Sequence, residues 1–451
     1  MRSNRAPIFL ALLLLLCLPC VLGAQSVLQF PRVIETTGIF TGIAVGNPTP
    51  ASVSVTFTAY QPDGTALAGG VTRNPVTVNI PAGGQSAHLF HEIFGATSFN
   101  GWVQATSGTA GLTGFFLNGN SAVTDLDGSG STVPASETIL PLIAEDTVTR
   151  TEITVVNVNP EAASVTLTLY AADGTVLTSK TVVLAARALI RQTVGTLFGA
   201  VDLSNVSHVK VKSDRPVVSH EVVADYQLPG TTLRRETGAL AGQAVTNATT
   251  YVLPHFASGG GWLSLIGLVN ASGVGQELTL TAYKDDGTLW PDASNPRRVS
   301  LDGNGALRTT VGDLFGFPAD TLRVGWIEVR SSLGFVNSYI GYGNALTPSF
   351  AIVQGATANA ATRFAVYSHF AEGVGYYTGL TVVNPATTPV DLEFYTIRPD
   401  GSTIGRATMT LGPNEHRSRL FRELLAASLQ QSGGWGYLRP KFPPLAAANS
   451  R

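Results

Sequence analysis

The sequence predicts an all-β protein of four tandem β-sandwich repeats with immunoglobulin-like architecture, the last repeat incomplete. Three observations predict it. Apolar side chains recur at every second position in segment after segment. Asp-Gly pairs follow those segments at spacings of 110, 113 and 114 residues. Charged residues make up 13% of the chain, about half the usual ~25%, while Gly, Ser, Thr and Val are abundant. Thr and Val suit pleated, half-buried surfaces and Gly supplies turns.

The chain opens on a targeting pattern. Arg2 and Arg5 precede an apolar run from Ile8 to Cys20, and the small residues Gly23 and Ala24 precede Gln25-Ser26. That is the layout of a secretory signal peptide over residues 1–24. No later stretch reaches 18 consecutive apolar residues, so the expectation is no membrane span once the signal is cleaved. The chain is expected to be secreted, at the cell surface or periplasmic. Both cysteines, Cys17 and Cys20, fall inside the signal, which removes disulfides, thiolate metal sites and a cysteine nucleophile from the mature chain. Without Arg2 and Arg5, 26 basic residues stand against 30 acidic ones, a net charge of −4. With no basic cluster, nucleic acid is not an expected partner.

The repeat is legible in single residues. Asn47, Asn157, Asn270 and Asn384 each stand 16 residues before the Asp of Asp63-Gly64, Asp173-Gly174, Asp286-Gly287 and Asp400-Gly401. Seventeen residues before each Asn is Phe30, Leu140, Leu253 or Tyr367. This register divides the chain into 25–136, 137–249, 250–362 and a truncated 363–451. Before each Asp the alternation of Val55, Phe57 and Ala59, or Leu278, Leu280 and Ala282, marks a strand with one face in a core. The Asp-Gly is a hairpin signal, because Gly accepts the positive φ of a tight turn. A second arm follows, then one helical turn (Phe90–Phe94, for example) and a strand opening at Gly101-Trp102, Gly325-Trp326 or Gly434-Trp435. The second repeat has Val209-Lys210-Val211 there instead. The count is six or seven strands per repeat, with linkers near 119–137, 226–250 and 343–362.

A Phe-Pro type start, a strand ending in Asn-Pro, an Asp-Gly turn and a late Gly-Trp strand together resemble an uncharacterised tandem β-sandwich repeat of secreted soil-bacterial proteins, acidobacterial in type. The resemblance spans almost the whole mature chain. It implies export and repeat logic, and no activity or site. The second repeat departs from it most, lacking Gly-Trp.

Chemical motifs are sparse. His88-x-x-His91-Glu92 lacks the third ligand that zinc needs. Asp125 and Asp127, in Asp125-Leu126-Asp127-Gly128, form a partial calcium-loop pattern, with Gly fourth where an EF-hand has it sixth. The alternative there is a plain linker. No hydrolase elbow, phosphate loop or dinucleotide fingerprint occurs, so the expectation is no enzyme and no cofactor. Carboxylates are not expected to recur at one repeat position outside the Asp-Gly turns. Aromatic residues carry the remaining lead. Tyr60, Tyr170 and Tyr283 lie three before the Asp, pointing away from the core, and Trp262, Tyr376 and Tyr377 precede the Asn strand. Such rings either stack on sugars or pack between strands and repeats.

The leading expectation is a structural or adhesive rod of stacked sandwiches meeting other proteins or cell-envelope glycans. The alternative is a carbohydrate-binding protein using Trp262, Tyr376 and Tyr377. The fourth repeat is expected to lack a closing strand, so that its open edge either accepts a strand from a partner or belongs to a truncated reading frame.

Overall fold

The computed structural model describes residues 25–441 apart from 123–125, 227–233, 292–293, 345–348, 359–364, 374–377 and 426–430. The expected signal segment lies outside the described residues. The protein is all-β, and among the described residues no helix is long and apolar enough to cross a membrane.

The first unit runs β1 (Ser26–Glu35), β2 (Ile39–Gly46), β3 (Val53–Tyr60), β4 (Val76–Ile80), β5 (Gln85–Leu89), α1 (Phe90–Phe94), β6 (Phe99–Ser107), β7 (Thr113–Asn120) and β8 (Leu126–Gly130). These strands form two four-stranded antiparallel sheets, β1-β6-β3-β4 and β5-β2-β7-β8. Phe30, Val55, Phe57 and Val103 from one sheet share a core with Ile43, Val45 and Phe116 from the other. The period-two pattern is therefore the inward face of each sheet. α1 closes one end of the core with Phe90 and Phe94, and Glu92 accepts from the Leu89 backbone N–H as its cap. Thr193 and Thr310 cap the corresponding turns Val194–Phe198 and Val311–Phe315.

The pattern returns along the chain with variations. In the second unit one strand of 21 residues, Val206–Tyr226, replaces both β6 and β7. Its first half pairs with Ala135–Leu140 and Ala163–Ala171, and its second half with Thr149–Val156 and Arg234–Ala241. The third unit again has two sheets, built around Arg323–Ser331 and Val336–Asn344. In the fourth, Ala365–Tyr367, Trp435–Pro440, Val390–Ile397 and Thr403–Leu411 form one sheet. Among the described residues its second sheet consists of Gly379–Val383 and His416–Leu420 alone.

Among the described residues the first and second units have eight strands each and the third has nine, not six or seven. The extra strands, Leu126–Gly130, Arg234–Ala241 and Ser349–Gln354, lie in stretches expected to be linkers. As edge strands they carry little apolar alternation. In Leu126–Gly130 packing demands Gly128, whose Cβ would sit 2.5 Å from the Phe115 ring.

The larger departure concerns shape. The units do not stack into a rod; they close into a ring. The carbonyl just before each Asp-Gly accepts from the backbone N–H that opens the β5-type strand of the next unit. These bonds are Leu189 N to Pro62 O at 2.9 Å, Ala306 N to Ala172 O at 2.8 Å and His416 N to Asp285 O at 3.0 Å. The fourth, Gln85 N to Pro399 O at 2.9 Å, runs from the first unit to the last. Indole N–H groups cross the same seams, from Trp102 to Arg187 O, Trp326 to Asn414 O and Trp435 to Gly83 O at 2.7–2.8 Å. The second unit, lacking Trp, uses Lys210, whose ammonium donates to Ala271 O and Asn304 Oδ1, both at 2.8 Å.

Candidate functional site

Each seam pairs the outward face of a β5-β2-β7 type sheet with the edge of the preceding unit, and the repeat register fixes which side chains meet there. Ala87 of β5 lies opposite Ala44 of β2. The equivalent pairs are Arg191 with Thr154, Arg308 with Gly267, and Ser418 with Thr381. Arg191 reaches back across its seam and donates to Pro31 O at 3.1 Å and Gly101 O at 2.9 Å. Arg308 does likewise to Ile143 O at 2.7 Å and Ser207 O at 3.3 Å.

The preceding unit contributes a residue two after its starting position: Arg32, Leu142, His255 or His369. Arg32 is fully buried and pairs with Glu152 at 3.0 Å. Leu142 packs with Tyr339 and Leu265. His255 meets His416 Nε2 at 3.2 Å, and His416 Nδ1 lies 2.8 Å from Asp285. The hydrogen bond from His416 holds the Asp285 carboxyl below the usual carboxylate range, while burial pushes His255 down to about 4.

The seam between the fourth and first units is built differently. Gln85 binds the carbonyls of Ser368 and Gly434, which correspond to those held by Arg191. Gly434 N in turn donates to Gln85 Oε1 at 2.8 Å. Ala87 stands where Arg191 and Arg308 stand, and a cleft of about 330 Å³ opens in front of it. Phe40, Leu89, Phe115 and Leu117 form its apolar wall, while His369 and Pro399 face them from the fourth unit. The rings of Phe115 and His369 are 6° from parallel with centroids 6.1 Å apart. His369 Nδ1 is buried without a hydrogen-bond partner, and desolvation lowers its basicity. His88 and Glu92 line the same cleft, 3.6 Å apart and half exposed. No Lys or Arg lines it among the described residues.

Most residues singled out from sequence lie elsewhere. Tyr60 and Tyr283 stack on Trp102 and Trp326 with centroids 4.7 and 4.6 Å apart, and Tyr170 stacks on His208 at 5.0 Å. These rings are seam packing, not an exposed sugar platform. Trp262 opens the Trp262–Asn270 strand, half buried, with its backbone paired to Asn344. Tyr376 and Tyr377 lie outside the described residues, as does Asp125. Asp127 is in β8, opposite Asn118. His88 and His91 do not converge: His91 pairs with Glu35 at 2.7 Å. Among the described residues no group of three or more His, Cys, Asp or Glu is placed to hold a metal ion.

Glu35, Glu145 and Glu372 do recur, each five residues after the starting position, and accept from the backbone N–H of Thr41, Thr151 and Thr378. Their spacing was available in the sequence. The cleft itself was legible only as an Ala at a position held twice by Arg, a signal that needs the seam to give it meaning. Comparison with family models and with curated proteins gives no match for this chain.

Proposed function

We propose that this chain is a secreted, non-enzymatic structural and adhesive protein, working without a cofactor, whose ring of sandwiches presents surfaces to extracellular or cell-envelope proteins. One observation carries the reading: the repeated polar and aromatic residues serve the seams and turns, while among the described residues the β2-type strand of the fourth unit is paired on one side only. In complete units the β2-type strand is flanked on both sides, by β5 and β7 in the first. Among the described residues Gly379–Val383 pairs with His416–Leu420 alone. Its other edge, beside a core of Leu380, Phe394 and Phe421 and without a partner among the described residues, supports strand addition by a partner.

The test uses a synthetic peptide with the sequence of the Val336–Asn344 strand, a shuffled control and a glycan array. Saturable binding of the peptide, with a rise in melting temperature that the shuffled peptide does not produce, supports the reading. Saturable glycan binding lost in Trp262→Ala, with no response to the peptide, would replace it with carbohydrate recognition.

A further inference from the structure

We propose that the fourth unit selects a partner protein by an extended segment in which an aromatic residue is followed by a large apolar one. The inference rests on strand addition at Gly379–Val383 and names what the added strand must bring. The three other units show what stands beside the β2-type strand: Thr113–Asn120, the second half of Val206–Tyr226, and Val336–Asn344. Each sets a ring opposite a small residue, Phe115 opposite Ala44, His220 opposite Thr154 and Tyr339 opposite Gly267. The next residue, Phe116 in the first unit and Ile340 in the third, turns inward and joins the core. Glu221 holds that place in the second. In the fourth unit Thr381 stands where Ala44 stands, each opposite the middle residue of a β5-type strand, and Leu380 stands where Ile43 does.

Two side chains mark the place of the missing neighbour. Val45, Val155 and Leu268 are completely buried between two flanking strands, whereas Val382 at the same position is only partly buried. Across the seam the contrast is sharper. Leu240 of the second unit is 4% exposed because it packs with Tyr339, the ring on the third unit's strand. Val353 of the third unit holds the place of Leu240: one lies opposite Ile340 and the other opposite Glu221. Yet Val353 is 36% exposed. Tyr342, two residues beyond Ile340 and so on the same face, packs edge to face on His255 with centroids 5.0 Å apart. A ring on the added strand would cover Val353 as Tyr339 covers Leu240, and the apolar residue after it would close over Leu380 and Phe394. In strand addition main-chain bonds supply affinity and pockets for alternate side chains supply specificity; here those pockets are the seam beside Val353 and the core of the fourth unit.

The experiment titrates the full chain by calorimetry with a peptide of the Thr113–Asn120 sequence and with the same peptide carrying Phe115→Ala or Phe116→Asp. The parent peptide is expected to bind saturably. Loss of the ring in Phe115→Ala should weaken binding about ten- to hundredfold, and Phe116→Asp should remove it. On the chain, Thr381→Trp fills the ring's place from the acceptor strand and Val353→Asp makes the seam beside it polar. Each should bring the parent and Phe115→Ala peptides to within about threefold of one another. If Thr381→Trp fails to fold, Val353→Asp is read in its place. Equal binding of the parent and Phe115→Ala peptides to the wild-type chain overturns this inference and leaves strand addition standing. An undiminished preference in a folded Val353→Asp chain overturns it as well. If no peptide binds, the Val336–Asn344 sequence included, strand addition itself fails. Binding that proceeds only by splitting a dimer of the chain, seen by small-angle scattering, overturns the proposal in favour of a second copy.

Discussion

At the scale of single residues, the recurring Asn and Gly do more than end strands and turn hairpins. The Asn157 amide donates to Glu161 O, Leu184 O and Ala185 O at 2.7–3.1 Å, and Asn47, Asn270 and Asn384 repeat the arrangement. Each buried Asn therefore fixes the turn on which the preceding unit docks. Gly64, Gly174, Gly287 and Gly401 have φ of +81° to +90°. A Cβ on any of them would lie 2.0–2.3 Å from a backbone carbonyl oxygen of the next unit in the ring. Asn157→Ala leaves one buried and two part-buried carbonyls without their donor and is expected to cost about 1–3 kcal/mol. Calorimetric melting checks this, and a loss below about 0.5 kcal/mol would show that water replaces the amide.

At the scale of elements, the long Val206–Tyr226 strand concentrates the buried ionisable groups. Glu221 occupies the inward position held by Phe116 and Ile340 in neighbouring units, accepts from Leu142 N at 2.9 Å, and is pushed by burial up to about 8. His208 and His220 on the same strand are driven down to about 3, chiefly by desolvation. The signs differ. A carboxyl raised in the folded state contributes stability that is present below its unfolded value near 4.5 and lost as pH rises through about 8. The depressed histidines contribute stability present above about 6.5 and lost as pH falls toward about 3. Between about pH 6.5 and 8.5 the remaining titration of the unfolded-state histidines is common to wild type and variant, so the difference between the two curves isolates Glu221. Glu221→Gln should remove a loss on the order of a few kcal/mol across that window. Parallel melting-temperature curves for variant and wild type would refute the assignment.

At the scale of the whole molecule, closure rests on the turn at Asp400-Gly401 meeting Ala82-Gly83, with Trp435 and Gln85 on either side. Gly401→Val places a branched side chain against Ala82 O, 2.3 Å from the Cβ position, and is expected to open this seam and no other. Small-angle scattering should then report a larger radius of gyration. Gly111→Ala is the control: its φ is +84° but nothing lies within 4 Å of the added Cβ. It should cost about 1–2 kcal/mol of backbone strain without changing the shape. Equal dimensions for Gly401→Val and wild type would mean that closure does not depend on this contact.

The sequence by itself determined the all-β class, the register from Asn to Asp-Gly, the helical turns and the inward faces, because local spacing and alternation set all of these. It misassigned the edge strands, whose alternation is faint because one edge is open and glycine is demanded by packing. It left Tyr60, Tyr170 and Tyr283 between sugar stacking and packing, since alternation along one strand says which residues leave a core but not what covers them, and the structure packs all three. Only the tertiary structure decided that the units form a ring, that Trp435 meets Gly83, and that Ala87 leaves a cleft beside His369. The physical reason is distance along the chain: Gln85 and Gly434 are 349 residues apart, and no local pattern encodes a contact that depends on how four units turn about one another.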